Sequence, residues 1–329
     1  MIISRTPVRI SFLGGGTDYP DYFLRHGGAT LATAIDKYSY VTVKELRDFF
    51  EYKIRVSYSR TELVDRPDQV DHPSVRECLA HLGLSGNLEI HYVGDLPART
   101  GLGSSSSFTV GLLHALYAHR GEIADPARLA REAVQVEQER IRERVGCQDQ
   151  YICALGGLRV LRFGRDGTVR TEPLPLRRAR LEELQQRLLL FYTGISRTAH
   201  EILGEQMERT QQGSNNQNLA TMGGLVEDAI AILCGEGNLD PFGELLHQGW
   251  VLKRSLSSRI STGRIDTVYE RARQAGAIGG KLLGAGGGGF LLFFADRGRA
   301  DAVRGALAEF KEVPFRFEPH GTTLLFCAR

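Results

Sequence analysis

The stretch PARTGLGSSSS, residues 97–107, places two glycines and four consecutive serines directly before the apolar run FTVGLLHALYA, residues 108–118. Glycine lets the backbone approach a ligand closely, and the first N–H groups of a helix have no partner within the helix. A loop that leads into a helix in this way is expected to bind an anion, and its hydroxyls can bind phosphate oxygens or Mg²⁺. The GxxxxGK[ST] pattern of a Walker loop is absent from the stretch. A serine-capped turn is the simpler alternative, but one serine would suffice for it.

Two further glycine clusters flank this stretch along the chain. GAGGGG, residues 284–289, lies between the apolar runs KLL and FLLFF, and LGGGTDYPDY, residues 13–22, places Asp18 shortly after three glycines. A hairpin turn typically needs one or two glycines. Five glycines therefore favour a close approach of the backbone to a ligand.

Composition excludes several classes of protein. The 329 residues are 42% hydrophobic and 24% charged with a net charge of +2, which is typical of a globular protein and lacks the basic surface of a nucleic-acid-binding protein. The five cysteines show no CxxC spacing, which argues against a zinc site or a disulfide framework. No signal-peptide core or membrane-spanning run is evident. We expect a cytoplasmic protein that binds small molecules rather than nucleic acid or membrane, with its oligomeric state left open.

Hydrophobic periodicity predicts an α+β fold. Strand patterns occupy residues 2–12, 29–45, 52–58 and 87–93, and a helical pattern follows residue 103. Asp125 and Pro126 begin a second helix that is predicted to reach about Val145, and residues 151–170 return to strand patterns. Residues 197–275 are mostly helical in pattern. We predict an N-terminal domain over residues 1–175 and a C-terminal domain over residues 176–329.

Two carboxylates on or near the second predicted helix are candidate functional groups. Glu137 falls in the middle of an apolar arc, so it is expected to need a partner. That partner is either an arginine or a Mg²⁺ ion that also binds phosphate oxygens. Glu139 points the opposite way and is expected at the surface. Asp149 follows the helix, where an Asx turn would also explain an aspartate.

Three motifs, PVRISFLGGGTDY, PARTGLGSSSS and KLLGAGGGGF, resemble those of the GHMP kinases in sequence, order and separation. The resemblance covers almost the whole chain. It implies a two-domain fold with ATP in the cleft between the domains. The N-terminal domain would contain a left-handed β-α-β crossover, and the C-terminal domain would be ferredoxin-like.

The resemblance also implies roles for individual residues. Asp149 would accept the proton of the attacking hydroxyl, and Arg9 would pair with it. Ser105 would bind Mg²⁺ together with Glu137, with Ser104 and Ser106 as alternatives to Ser105. The ATP-binding residues would be Pro97, Gly101, Leu102, Gly103, Ser104, Ser105, Ser106 and Ser107.

The motif at residues 13–22 departs from that of galactokinases, which read GEHTDY where this chain reads GGGTDY. The replacement of two side chains by Gly15 and Gly16 makes galactose a doubtful substrate. The segment RTPVRISFLGGGTDYPDY, residues 5–22, together with YTGISRTAHEIL at residues 192–203, is most similar to the bacterial D-glycero-D-manno-heptose 7-phosphate kinases and to the fucokinase domains. The resemblance therefore implies phosphorylation of the anomeric hydroxyl of heptose 7-phosphate by ATP, in the synthesis of activated heptose for surface polysaccharides.

A phosphorylated substrate needs a cationic receptor, for which Arg197 is the first candidate and Lys281 the second. An exposed arginine at a helix start is the alternative interpretation of Arg197. Two alternative functions remain. The protein could be a fucokinase-like or other hexose 1-kinase, or it could be a regulator that binds sugar and nucleotide without catalysing a reaction. The predicted substrate-binding residues are Gly15, Gly16, Thr17, Asp18, Thr193, Gly194, Arg197, Lys281, Gly287 and Gly288.

Overall fold

The computed structural model describes residues 1–98, 100–195 and 199–328, with the backbone alone described at residues 199–203. The first half of the chain, together with one strand near its end, forms an eight-stranded sheet. Its strands are β1 (Ile2–Leu13), β2 (Gly28–Glu45), β3 (Ile54–Ser57), β4 (Thr61–Val64), β5 (Leu88–Gly94), β6 (Leu158–Phe163), β7 (Val169–Pro173) and β12 (Thr323–Cys327). The main path of the sheet has the order β12-β1-β2-β5-β3-β4, with β6 paired to β2 and β7 paired to β6.

Helices α1 to α5 accompany this sheet. Their bounds are α1 (Pro20–His26), α2 (Pro73–His81), α3 (Ser104–Arg120), α4 (Pro126–Gln135) and α5 (Gln148–Leu155). Strands β3 and β5 are parallel neighbours, and the chain passes through β4 and α2 between them. Helix α3 lies close against β1, since a Cβ at Gly111 would come within 2.7 Å of Thr6 Oγ1. Ser107, in the first turn of α3, also donates its hydroxyl to the carbonyl oxygen of Thr6, so the start of the helix lies against the same strand.

A second sheet of four antiparallel strands has the order β11-β8-β10-β9. Its strands are β8 (Leu188–Tyr192), β9 (Ala277–Leu282), β10 (Phe290–Ala295) and β11 (Lys311–Glu312). Helix α6 (Arg178–Gln186) precedes β8, the helices α7 (Ala199–Gln211), α8 (Asn216–Cys234), α9 (Asp240–Ser255) and α10 (Gly263–Ala275) lie between β8 and β9, and α11 (Ala300–Ala306) lies between β10 and β11. This strand order and connection are those of the ferredoxin-like fold, as the resemblance implied.

The two sheets are joined by a shared core and by the end of the chain. One cluster of buried apolar side chains combines residues of β1 and β2 with residues of α8, α9 and β10. Strand β12 returns to pair with β1, so the last residues lie in the first sheet. The division into domains at residues 1–175 and 176–329 stays a prediction. Strand β12 falls within the second of these ranges but lies in the first sheet. In the described part of the chain, no helix has both the length and the apolar character needed to cross a bilayer.

Two predicted elements differ from the structure. The helix that was predicted to reach Val145 ends earlier, because it passes into a π-helical turn at Val136–Arg140 and Arg142 takes a φ of 62°. Residues 148–155 form helix α5 instead of beginning a strand. Six of the eight residues of α5 are buried, so its sequence lacks the polar face that makes a helix recognisable.

Candidate active site

Arg9 and Asp149 form a bidentate ion pair at the centre of the site. Arg9 lies on β1, and Asp149 lies in the first turn of α5, where the helix dipole favours a negative charge. Arg9 donates through Nε and Nη2 to the two carboxylate oxygens of Asp149, each at 2.6 Å. Burial alone would lower the pKa of the Arg9 guanidinium. The charge and hydrogen bonds of Asp149 outweigh this effect, so the pKa is raised. The side chain of Asp149 remains 23% exposed, so its carboxylate is fixed in place and still accessible to a ligand.

The glycine-serine stretch wraps around this ion pair. Gly103 precedes the first residue of α3 with a φ of 72°, and a Cβ there would lie 3.2 Å from both Arg9 Cγ and Asp149 Oδ2. Arg9 Nη1 also donates to the carbonyl oxygen of Gly101 at 2.7 Å. The loop thus brings the free N–H groups at the start of α3 next to the ion pair, which is the arrangement expected of a phosphate-binding loop.

The four serines of the stretch have different environments. Ser105 is exposed and Ser104 is half-buried. Ser106 is buried and donates its hydroxyl to Glu137 Oε2 at 2.9 Å, whereas Ser107 donates to the carbonyl oxygen of Thr6. The assignment of Ser105 to Mg²⁺ stays a prediction, and the geometry favours Ser106, which the sequence left open.

Glu137 is fully buried in the π-helical turn, as its position in the apolar arc predicted, and Glu139 is exposed. Its Oε2 accepts from Ser106 and, at 2.6 Å, from Gln150 Nε2, whereas Oε1 has no hydrogen-bond partner among the described residues. Burial raises the pKa of Glu137 to about 7. π-helical turns often occur at functional sites. The arginine partner that the sequence left open is not found among the hydrogen bonds and ion pairs of this carboxylate in the described residues.

These side chains fit a Mg²⁺ ion that also binds a nucleotide. The unpartnered oxygen of Glu137 and the neighbouring hydroxyl of Ser106 are the hard oxygen ligands that Mg²⁺ prefers, and one or two protein ligands are enough when phosphates supply the others. Across the described ranges there is no group of three or more His, Cys, Asp or Glu side chains that could hold a metal by itself. Phosphate oxygens would supply further ligands to a Mg²⁺ ion held by these side chains.

The glycine cluster at residues 284–289 packs directly against the glycine-serine loop. A Cβ at Gly284 would come within 2.3 Å of Gly101 Cα, and a Cβ at Gly289 within 2.2 Å of the carbonyl oxygen of Thr100. The N–H and hydroxyl of Thr193 both donate to the carbonyl oxygen of Gly289 at 2.9 Å. The two loops therefore form one continuous rim, which the sequence did not predict.

The turn at residues 14–18 forms the other side of the site. Asp18 is buried, and its carboxylate accepts from the N–H groups of Gly16 and Gln148. Burial and the nearby Asp149 raise the pKa of Asp18. The hydroxyl of Thr17 bonds to the backbone of Gly14 and Ala29, so any substrate contact of Thr17 cannot rely on a free hydroxyl.

Two buried lysines lie near this carboxylate. Lys253 Nζ on α9 donates to the carbonyl oxygens of Leu282 and Gly284, and Lys281 Nζ on β9 donates to the carbonyl oxygen of Phe12. Burial lowers the pKa of Lys253 to about 7 and that of Lys281 well below its usual value, and nearby cations lower both further. Such crowding of basic side chains favours the binding of an anion, which would raise the pKa of both lysines again.

Sequence reasoning missed Lys253, although a signal for it existed. Lys253 is buried three residues after Trp250 and seven after Leu246, so it lies on the apolar arc of α9. The same argument identified Glu137. Gln150, which holds Glu137, was also missed, because nothing in the string CQDQ distinguishes its two glutamines.

The structure brings together most of the predicted site residues. Arg9, Asp149, Gly101, Gly103 and Asp18 lie together around the ion pair. Gly287 and Gly288 belong to the second loop of the rim, and Thr193 is hydrogen-bonded to that loop through Gly289. Gly287 donates its N–H to the carbonyl oxygen of Ile260, and Gly194, with a φ of 71°, is exposed. Pro97 lies at the outer end of the first loop, where its carbonyl oxygen accepts from Thr100. Arg197 lies outside the described residues.

Comparison with known proteins gives a consistent result. The model for the GHMP kinases N terminal domain matches residues 73–157, and that for the GHMP kinases C terminal matches residues 228–313. Together the two matches cover slightly more than half of the chain.

Individual relatives and structures extend this similarity. The D-glycero-alpha-D-manno-heptose 7-phosphate kinase of Campylobacter jejuni is 28% identical over 90% of this chain and 89% of its own length. The L-fucokinase/L-fucose-1-P guanylyltransferase of Bacteroides fragilis is 27% identical over 94% of this chain but only 36% of its own length. A crystal structure of a D-glycero-D-manno-heptose 1-phosphate kinase from Bacteroides thetaiotaomicron superimposes with a TM-score of 0.80 over the whole of both chains, at 23% identity.

Proposed function

Because the chain belongs to the GHMP kinase family and is a kinase that phosphorylates a sugar hydroxyl, we propose that its acceptor is the anomeric hydroxyl of D-glycero-D-manno-heptose 7-phosphate, with ATP as donor. The product is the 1,7-bisphosphate. The observation on which the mechanism depends is the bidentate pair of Arg9 and Asp149 directly beneath the start of α3. The heptose kinase of Campylobacter jejuni, similar over 89% of its length, supports the choice of sugar.

Asp149 is proposed as the base. The anomeric oxygen attacks the γ-phosphorus, the bond between that phosphorus and the β–γ bridging oxygen breaks, ADP leaves, and the proton of the hydroxyl passes to Asp149. Arg9 holds Asp149 in one orientation, since both carboxylate oxygens of Asp149 are bonded to the guanidinium. The accessible fraction of the Asp149 carboxylate is the part that faces the acceptor.

The phosphates of ATP are proposed to lie against residues 101–107, where the N–H groups at the start of α3 are available. Mg²⁺, when bound, neutralises charge on the transferred phosphoryl group. Glu137 and a serine of the loop would hold it, and Ser106 is the serine already bonded to Glu137. The role of Gln150 is to orient Glu137 through its hydrogen bond to Oε2.

A phosphorylated acceptor is supported by the charges of the site. Arg9, Lys253 and Lys281 are three buried basic side chains, Asp18 and Asp149 are the acidic groups near them, and an anion bound beside them would favour the protonated form of the two lysines. An additional anion would offset their mutual repulsion. Arg197 remains our first candidate for the receptor of the substrate phosphate and Lys281 the second.

The test measures ADP release with Mg·ATP on four sugars: D-glycero-D-manno-heptose 7-phosphate, mannose, fucose and galactose. Turnover confined to the heptose phosphate, and reduced on the order of 10³-fold in Asp149→Asn, is the expected result. Turnover on fucose or mannose instead would contradict the heptose assignment and favour the fucokinase-like alternative, which the relative from Bacteroides fragilis supports. Turnover of no sugar, with ATP still bound, would favour a regulator.

A further inference from the structure

Two buried polar side chains next to the proposed base have hydrogen-bonding atoms without partners. Ser11 Oγ and Gln148 Oε1 are buried, and neither is paired within the described ranges. Their residues are 6% and 7% exposed. A buried polar atom that lacks a partner destabilises the fold, so two of them in one place call for an explanation.

Both side chains flank Gly15. A Cβ at Gly15 would lie 3.5 Å from Ser11 Oγ and 3.7 Å from Gln148 Nε2. These are ordinary contact distances, so the space in front of Gly15 would accept a methyl group, and two polar side chains border it. The glycine keeps this space open.

The same space adjoins the reacting groups. Ser11 follows Arg9 by two residues on β1, and side chains two apart on a strand leave the same face of the sheet. Gln148 immediately precedes Asp149, and its N–H donates to Asp18 Oδ2. Ser11 and Gln148 therefore lie beside the Arg9–Asp149 ion pair.

The chemistry of these atoms selects their ligand. A phosphate offers mainly acceptor oxygens, which an unpaired amide oxygen would repel. A sugar hydroxyl both donates and accepts. Ser11 has a hydroxyl, and the amide of Gln148 presents one acceptor and one donor group whichever way it is turned. The pair matches neighbouring hydroxyls of a sugar ring.

We propose that Ser11 and Gln148 form a hydroxyl-binding pocket for the acceptor sugar, with Gly15 providing its space, and that this pocket determines which sugar is positioned on Asp149. The inference rests on the proposed function as a sugar 1-kinase. Ser11 and Gln148 would bind the sugar ring, whereas Arg197 and Lys281 are the candidates for binding its phosphate.

The test compares Ser11→Ala, Gln148→Leu and Gly15→Ala with the unmodified protein. The first two remove the polar groups, and the third fills the space while both groups stay. Ser39→Ala is the matched control, because Ser39 Oγ is also buried and unpartnered within the described ranges but lies on β2 opposite Thr6. KM for the sugar, KM for ATP and kcat are measured with D-glycero-D-manno-heptose 7-phosphate or, if it is not turned over, with the sugar of the same panel that is.

We expect KM for the sugar to rise about tenfold in Ser11→Ala and Gln148→Leu, because a site built to bond a hydroxyl binds poorly once a group is lost. We expect a rise of about the same size in Gly15→Ala, because its methyl group would occupy the space of the sugar hydroxyl. KM for ATP should change less than about twofold, and Ser39→Ala should match the unmodified protein. An unchanged KM for the sugar in all three variants overturns the pocket and leaves the kinase intact. An equal rise in KM for ATP also overturns it, because that result indicates general distortion. Failure of the unmodified protein on every sugar overturns the proposed function, and the pocket with it.

Discussion

Substitution of Glu137 by Gln is expected to raise the stability of the metal-free protein while it removes activity. Burial raises the pKa of Glu137 from its reference value of 4.5 to about 7. Between these two values the folded state holds a proton that the unfolded chain has released, so the free energy of unfolding falls as pH rises through this window. Above about pH 7 the full cost of the buried charge is present. Since one pKa unit corresponds to about 1.4 kcal/mol, the whole shift amounts to roughly 3 kcal/mol.

Glutamine imitates the protonated carboxyl and does not titrate. Its Oε1 can still accept from Ser106 and Gln150, so the packing should be retained. The stability advantage of Glu137→Gln over the unmodified protein should therefore grow by about 2 kcal/mol between about pH 5.5 and pH 8. Urea denaturation without Mg²⁺ at the two pH values measures this difference.

A stability difference that does not change with pH would refute the reasoning, because it would mean that Glu137 does not titrate in this range. The same argument predicts the behaviour of Mg²⁺. A metal ligand must be deprotonated, so the apparent affinity for Mg²⁺ in the presence of ATP should weaken as pH falls below about 7. Glu137→Gln should lose this dependence together with at least about 100-fold in kcat.

Three further site variants, and one control variant outside the site, test the remaining contacts. Gly103→Ala should lower both kcat and the stability, the latter by about 1 kcal/mol, because the φ of 72° and the nearby Asp149 both oppose a side chain at this position. Gly224→Ala is the control, because no atom lies near a Cβ at this position of α8, and it should raise the stability by up to about 1 kcal/mol. Thermal denaturation measures both differences in stability. Arg9→Lys should lower kcat by roughly 10- to 100-fold, because an ammonium group cannot hold both oxygens of Asp149, and an unchanged kcat would contradict the need for bidentate pairing. Lys253→Met should lower kcat/KM about tenfold with little change in Tm, since the loss of two hydrogen bonds is offset by removal of a buried amine.

The sequence predicted the elements that follow simple periodic patterns. The α+β class, the helix that begins at Ser104 and the burial of Glu137 all depend on local pattern and were confirmed. Helix α5 was missed because most of its residues are buried, so its sequence does not show the 3.6-residue alternation of apolar and polar residues that marks a helix with one exposed face. Ser106 could not be distinguished from Ser105, since which serine faces Glu137 depends on the rotation of α3 against the π-helical turn.

The contact between the two glycine loops explains why so many glycines surround a site whose chemistry needs few side chains. Gly101 and Gly284 approach so closely that a Cβ on either would meet the backbone of the other loop. The carbonyl oxygen of Gly101 accepts from Arg9, and that of Gly284 accepts from Lys253. The orientation of Asp149 therefore depends, through Arg9, on a backbone contact between the first sheet's loop and the second sheet's hairpin. A side chain at Gly284 should disturb the base without touching it, because it would displace the loop to which Arg9 is bonded.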